Sequence, residues 1–463
     1  MGTVLKNVQP IGGNSPVDIR IEGTRIAEIS DAEIAPRSGD DAIDGGGKLV
    51  VRGFVNAHTH LAMVLFRGLA DDVPLETWLE THVWPIEAKL RPEDVYWCTL
   101  LAVAEGIRGG TTAFADMYFH TDEAARALEE SGARALVSYG IIAPSMGDKG
   151  RAEIAEATRV IERWSDAANG RIRAAISPHS VYTCGEDVWR AAIDVAADRG
   201  VPIHTHLAET RHEVNVWREK TGASEVFHLE ELGAFAVPIL AAHCVHVDEA
   251  DVSVLASHDV TVAHCPKSNA KLGSGIAPVN TMREAGIRVA IGTDGAASNN
   301  RLDMIEEMRT AWILQRARHE DPMHPSAGDV LDMAMGAGRH IFGLKPESLV
   351  EGSAADLILI DREPLHAVPR HDPLATLVFA SDALDVTDVL VDGRWLMRDR
   401  ELRTIDVERV RFEVEGLRHK VRPINRPRLG ERSSRLSGAG ERRTDGTDNG
   451  EEGGDYPRVR QGK

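Results

Sequence analysis

Cysteine is scarce in this chain: four residues in 463, Cys98, Cys184, Cys244 and Cys265, widely spaced and without a CxxC pair. That argues against a disulfide framework or a thiolate zinc knot and predicts buried, reduced thiols. No apolar run approaches the ~18–20 residues that cross a bilayer, and no basic segment at the N-terminus leads into an apolar one. A soluble, cytoplasmic protein is expected. Lysine is short as well. Ten lysines among 53 basic residues face 72 acidic ones, for a net charge of −19. Such a surface repels phosphate backbones and anionic lipid, so neither nucleic acid nor membrane is expected as a partner.

What the chain does have is length and ordinary hydrophobicity, 463 residues at 43% apolar, which suits one large domain with a smaller one beside it. Residues 1–54 alternate with period 2 in short runs, and Glu22-Gly23-Thr24 marks a hairpin turn. From His58 to about residue 343 strands alternate with amphipathic helices. Strand candidates end at His58/His60 and lie at 112–115, 134–139, 172–176, 202–206, 239–243, 260–264 and 288–292. Eight such units predict a closed (β/α)8 TIM barrel with its site at the C-terminal strand ends. Strand patterning returns at 356–360 and 385–391, so 1–54 and 344–422 are expected to form a composite small β-sandwich domain beside a barrel of 55–343. Residues 423–463, rich in Arg, Gly, Glu, Ser and Asp, cannot bury enough surface to order themselves.

The central stretch is Gly53-Phe54-Val55-Asn56-Ala57-His58-Thr59-His60, where two histidines two apart project from one face of a strand end. Among 19 histidines one such pair is as readily structural as metal-binding. Further strand ends carry His206, His243 and Asp294, and a catalytic zinc needs about three protein ligands with one position open. Each of these alone suits a hydrogen-bonded core residue; together they point to a metal. Glu209, three residues past His206, is placed to exchange a proton with a substrate nitrogen, or else caps a helix start.

The motifs Gly53 to His60, His206-Leu207-Ala208-Glu209-Thr210, Ala242-His243-Cys244-Val245-His246 and Gly292-Thr293-Asp294-Gly295-Ala296-Ala297-Ser298-Asn299-Asn300 resemble the amidohydrolase superfamily. Within it the chain is most similar to the methylthioadenosine/S-adenosylhomocysteine deaminases and their aminohydrolase and chlorohydrolase relatives. The resemblance runs over about residues 1–410, including Glu351-Gly352-Ser353-Ala354-Ala355-Asp356-Leu357. It implies that His58, His60, His206 and Asp294 bind one divalent metal. Zinc is the first choice, with iron or manganese as alternatives. Binuclear relatives place a bridging lysine at the fourth strand, where this chain reads Ile176-Ser177-Pro178-His179-Ser180.

The resemblance also implies that Glu209 protonates a ring nitrogen while His243 and Asp294 help activate water. Trp78 would lie against the base, Glu87 would accept the ribose hydroxyls, His179 would donate to substrate and Arg151 would reach a distal carboxylate. Read from the residues alone, Trp78 and Glu87 also suit an amphipathic segment over 75–90, Arg151 a solvated loop cation and His179 a backbone-bonded strand end. A second arginine of the relatives is expected at Tyr139, which weakens the case for a homocysteine carboxylate. The implied partner is a small nucleoside, and a homo-oligomer is expected. The rival readings are a hydrolase of a triazine, guanine or pterin, and a barrel kept only for binding.

Overall fold

The computed structural model describes residues 2–69, 77–345 and 349–421. The tail at 423–463 and the start of the 75–90 segment therefore lie outside the described residues. Eight parallel strands run in chain order around one sheet: β1 Phe54–Thr59, β2 Thr111–Tyr118, β3 Arg134–Ile141, β4 Ile172–Pro178, β5 Ile203–Leu207, β6 Ile239–His243, β7 Val260–His264 and β8 Arg288–Ile291. Most of their residues are buried on both faces, as helix-covered parallel strands are. Small residues (Ala57, Ala113, Ala115, Ala175, Ala263, Ala290) meet Val55, Leu136 and Leu240 inside the sheet, and Ile341 and Phe342 pack onto this cluster.

The seam between β8 and β1 is joined by a side chain. Asn56 Nδ2 donates to Thr293 Oγ1 at 2.7 Å, and Thr293 N–H donates to Asn56 Oδ1 at 2.9 Å. Asp294 N–H then donates to the His58 carbonyl at 2.9 Å. The last metal-ligand candidate is thereby tied to the first.

The terminal segments form a separate mixed sheet of nine strands. Strand Thr3–Pro10 belongs to both of its halves. It pairs with Val17–Glu22 on both sides of Asn7, where φ is 59°, with Asp41–Asp44 before it and with Lys48–Arg52 after it. Leu5, Ile19, Ile26 and Ile43 from one half and Val50, Leu357, Leu359 and Leu390 from the other share one core. The hairpins at Gly23 and at Asp392-Gly393 are as the alternation predicts. Both residues of the second turn have positive φ, 49° and 69°. The apolar stretch from Leu49 to Val55 is divided between the two sheets. Lys48–Arg52 pairs in the small sheet and Phe54–Thr59 in the barrel. Gly53 divides them because a Cβ there would sit 2.1 Å from Thr112 Cγ2.

The two sheets are linked by Arg134, at the start of β3. Its guanidinium donates to both oxygens of Asp356 at 2.8 and 3.0 Å and also to Asp392. Asp356 is 1% exposed. Arg134→Ala strands that carboxylate in a buried site and is expected to cost ~3–5 kcal/mol of unfolding free energy, read from urea denaturation. A loss below about 1 kcal/mol would show the link to be dispensable. All four cysteines are buried and unpaired. Among the described residues no helix is long and apolar enough to cross a membrane.

Candidate active site

The strand ends deliver their polar side chains to one point. Along β1 the register shifts between Asn56 and Thr59, and this irregularity lets His58 and His60 enter the barrel above Val55 and Ala57. The backbone then takes left-handed conformations at Ala208, His243, Cys244 and Asp294, with φ of 49°, 74°, 46° and 58°. Non-glycine residues adopt this region at a cost of ~1–3 kcal/mol each, and such strain collects where side-chain aim matters. Here it collects at the ends of β5, β6 and β8.

The hydrogen bonds assign the imidazole tautomers. His60 Nδ1 faces the Met117 carbonyl at 2.6 Å and His206 Nδ1 the His179 carbonyl at 2.9 Å. A carbonyl only accepts, so both Nδ1 atoms carry protons and both Nε2 atoms present lone pairs. Those Nε2 atoms lie 3.2 Å apart, and Asp294 Oδ1 is 3.3 Å from His60 Nε2 and 3.5 Å from His58 Nε2. His58 Nε2 is buried and hydrogen-bonded to nothing. Its Nδ1 contacts His204 Nε2 at 2.8 Å, His204 Nδ1 contacts Ser138 Oγ at 3.3 Å, and Ser138 Oγ donates to the Asp116 carbonyl at 3.0 Å. With the direction set by that last carbonyl, the relay leaves the His58 lone pair facing the same centre.

A cation fits this donor set. Two groups of candidate ligands, His58–His60–His206 and His58–His243–Asp294, share His58 and describe one site. Asp294 keeps its other oxygen, Oδ2, for Ser268 and Ser298 at 2.7 and 2.8 Å, and His243 Nδ1 meets Asn269 Oδ1 at 2.8 Å. Such outer partners orient ligands and set their basicity. Burial lowers His58 to about 4, so it stays a neutral ligand. Burial opposes ionisation of Asp294, but the surrounding imidazoles of His58, His60 and His243 outweigh it and hold the carboxyl well below the ordinary range.

Above this centre is a small cleft lined by Trp78, Glu87, His179, Glu209, His243 and Asp294 among others. Glu209, 9% exposed, has Oε2 3.8 Å from His243 Nε2. His179 lies against the His206 ring, centroids 4.4 Å apart. Trp78 opens the short helical stretch Trp78–Val83, and Glu87 closes the next, Trp84–Glu87. Burial raises Glu87, while the Tyr118 hydroxyl, which donates to Glu87 Oε1 at 2.6 Å, acts in the opposite direction.

Two expectations are corrected here. Arg151 does not line the cleft. It sits in the first turn of the exposed helix Asp148–Trp164, where its guanidinium donates to Asp148 and to the Met146 carbonyl. Tyr139 does not stand at the cleft either. Strand alternation turns Ser138 and Gly140 inward and Tyr139 outward, toward Glu153, and Ile142 is the side chain that reaches the cleft. Residues missed from sequence are His204, Asn56, Asn269, Ser268, Ser298 and Tyr118. His204 had a signal, since His204-Thr205-His206 repeats the spacing of His58-Thr59-His60.

Residues 49–396 match the model of the amidohydrolase family. A 5-methylthioadenosine/S-adenosylhomocysteine deaminase of Pelotomaculum thermopropionicum is 43% identical over 428 residues, 92% of this chain and 98% of its own length. A 5'-deoxyadenosine deaminase of Methanothermobacter thermautotrophicus is 42% identical over 395 residues, covering 85% of this chain and 92% of its own. Among solved structures, an adenosine deaminase from Xanthomonas campestris with bound zinc has a TM-score of 0.85 at 32% identity, covering 91% of this chain and 99% of its own. A match of this extent, over the same strands that bring the imidazoles and the carboxylate together, places the chain in the amidohydrolase family.

Proposed function

We propose that the protein hydrolyses adenine nucleosides modified at the 5′ position to the inosine analogues and ammonia. The observation that carries this is the Glu209 carboxyl set beside His243 at the mouth of a single metal centre, in a chain whose relatives are named as deaminases of such nucleosides. When bound, zinc there supplies Lewis acidity that lowers the pKa of water toward about 7. As water adds to C6 of the adenine, Glu209 delivers a proton to N1. His243 and Asp294 flank the incoming water and take up its proton, and protonation of the 6-amino group releases ammonia.

A nucleoside, rather than a triazine, guanine or pterin, is favoured by the Tyr118–Glu87 pair. Tyr118 holds one oxygen of Glu87 and leaves the other for the ribose hydroxyls, with Trp78 against the base. The rest of the described wall includes Leu79, Trp84, Phe119, Ile142, Tyr182 and Leu272, with no lysine or arginine among the described lining residues. A methylthio group or a hydrogen at the 5′ position suits that wall better than a homocysteine carboxylate does. A cytoplasmic setting and a homo-oligomeric assembly belong to the same reading, on the strength of the resemblance.

The test is a substrate panel with zinc-loaded protein, following ammonia and the adenine-to-hypoxanthine absorbance change. Adenosine, methylthioadenosine and 5′-deoxyadenosine are expected to turn over, with S-adenosylhomocysteine slower; no turnover of any of the four would sink the reading. Glu87→Ala removes hydrogen bonds to a charged group worth ~1.5–3 kcal/mol. It is expected to lower kcat/KM about 10–100-fold for ribose-bearing substrates, mainly through KM. An unchanged KM would count against the ribose contact.

A further inference from the structure

The peptides on either side of Glu209 are both held by buried carboxyl groups. Ala208 N–H donates to Glu225 Oε2 at 2.9 Å, and Thr210 N–H donates to Glu213 Oε2 at 3.2 Å. Glu213 lies in the first turn of the helix Arg211–Thr221 and Glu225 opens the helix Glu225–Glu231, so two separate elements converge on one bend. Ala208 itself has φ of 49°, a conformation that needs support.

The two acids are 9% and 2% exposed, and each acts on the other's ionisation. Glu213 Oε1 and Glu225 Oε1 are both buried, and neither has a hydrogen-bond partner among the described residues. Carboxylates only accept, so the two unpartnered oxygens can satisfy one another only if one acid keeps its proton. Burial raises both acids, Glu225 to about 7 and Glu213 well above the ordinary carboxylate range, where the charges of Glu225 and Glu209 add to burial. The groups that act on the pair or on which it acts are acids, a phenol and a thiol: Glu209, Asp251 from the helix Glu249–Ala256, Tyr182 and Cys244. Arg218 stops at Asp251, 3.7 Å from its Oδ2.

We propose that Glu213 and Glu225 share one proton as an acid–carboxylate pair and act together as positioning residues for Glu209, clamping the backbone on both sides of it. This rests on Glu209 being the proton donor. With the shared proton in place, the two carboxyls attract and both peptide N–H groups stay docked. Without it, two negative charges repel in a buried site, the bend is released, and the Glu209 carboxyl loses its aim.

The experiment uses zinc-loaded full-length protein. Glu225→Ala and Glu213→Ala are expected to lower kcat ~10–100-fold, since displacements of about 1 Å cost that much, with KM within about threefold and zinc content unchanged. Glu225→Gln keeps an acceptor for Ala208 and a donor toward Glu213, and is expected to restore most of kcat. Glu213→Gln cannot release the shared proton, so the alkaline limb of its kcat profile is expected above that of the parent. Alanine variants with parental kcat would overturn the proposal. If they do not fold, a Glu213→Gln alkaline limb coincident with the parent's overturns it instead. An active Glu209→Gln enzyme would remove the underlying assignment; an inactive one beside an unaffected Glu225→Ala would remove only the clamp.

Discussion

Glutamine at position 209 is expected to leave a folded, metal-loaded protein whose kcat has fallen ~10²–10⁴-fold, the usual range for loss of a positioned general acid. The amide matches the carboxyl in size and can still hydrogen-bond, so packing around this buried residue is retained and KM is expected to change little. What it cannot do is carry a proton. His243 Nε2 lies 3.8 Å from Glu209 Oε2 and its Nδ1 is engaged with Asn269, so no second acid of equal reach stands beside the first among these contacts. Initial rates of hypoxanthine-nucleoside formation, with zinc measured on the same samples, check this. A loss below about tenfold would move the proton to another group.

Removal of the metal is expected to abolish activity altogether and to destabilise the fold. The lone pairs of His60 and His206 face each other at 3.2 Å beside the Asp294 carboxylate, and their Nδ1 protons are already committed to carbonyls. Without a cation, that arrangement is a cluster of mutually repelling acceptors in a buried site. Binding that favours the folded state stabilises by mass action, ~2.7 kcal/mol at a ligand concentration of 100 Kd. Chelation should therefore lower Tm as well as activity, and added zinc should restore both. His206→Ala removes one of the facing lone pairs and is expected to lose zinc without recovery on addition. Full activity after exhaustive chelation would refute the metal centre.

The barrel and the candidate ligands at its strand ends were legible because the signal is local. His58, His60, His206, His243 and Asp294 each stand at the end of a short apolar run, and the fold sends those ends to one face. His204 was legible in principle, as the first half of a second HxH pair. Its partner His58 is 146 residues away, however, and nothing local distinguishes a ligand from the residue that orients one. Asn56 could not be read as the closure of the barrel, because Thr293 becomes its neighbour only when β8 meets β1.

Tyr139 and Arg151 show the limit from the other side. Both were placed at the cleft by alignment of motifs, and both point away from it. Inward and outward alternate with each residue of a strand, so Gly140 and Ile142 reach the cleft while Tyr139 meets Glu153. Arg151 is taken by the nearest acceptors of its own helix start.

By itself, then, the sequence determined the eight-unit barrel, the residues able to hold one divalent cation and the acid beside them, since period, residue type and strand-end position are properties of short segments. Tertiary structure alone decided the tautomers of the imidazoles, the apolar wall of the cleft and the convergence of two buried carboxyl groups behind Glu209. Those depend on which distant groups become neighbours once the sheet closes, and on how far burial shifts the charge each of them can carry.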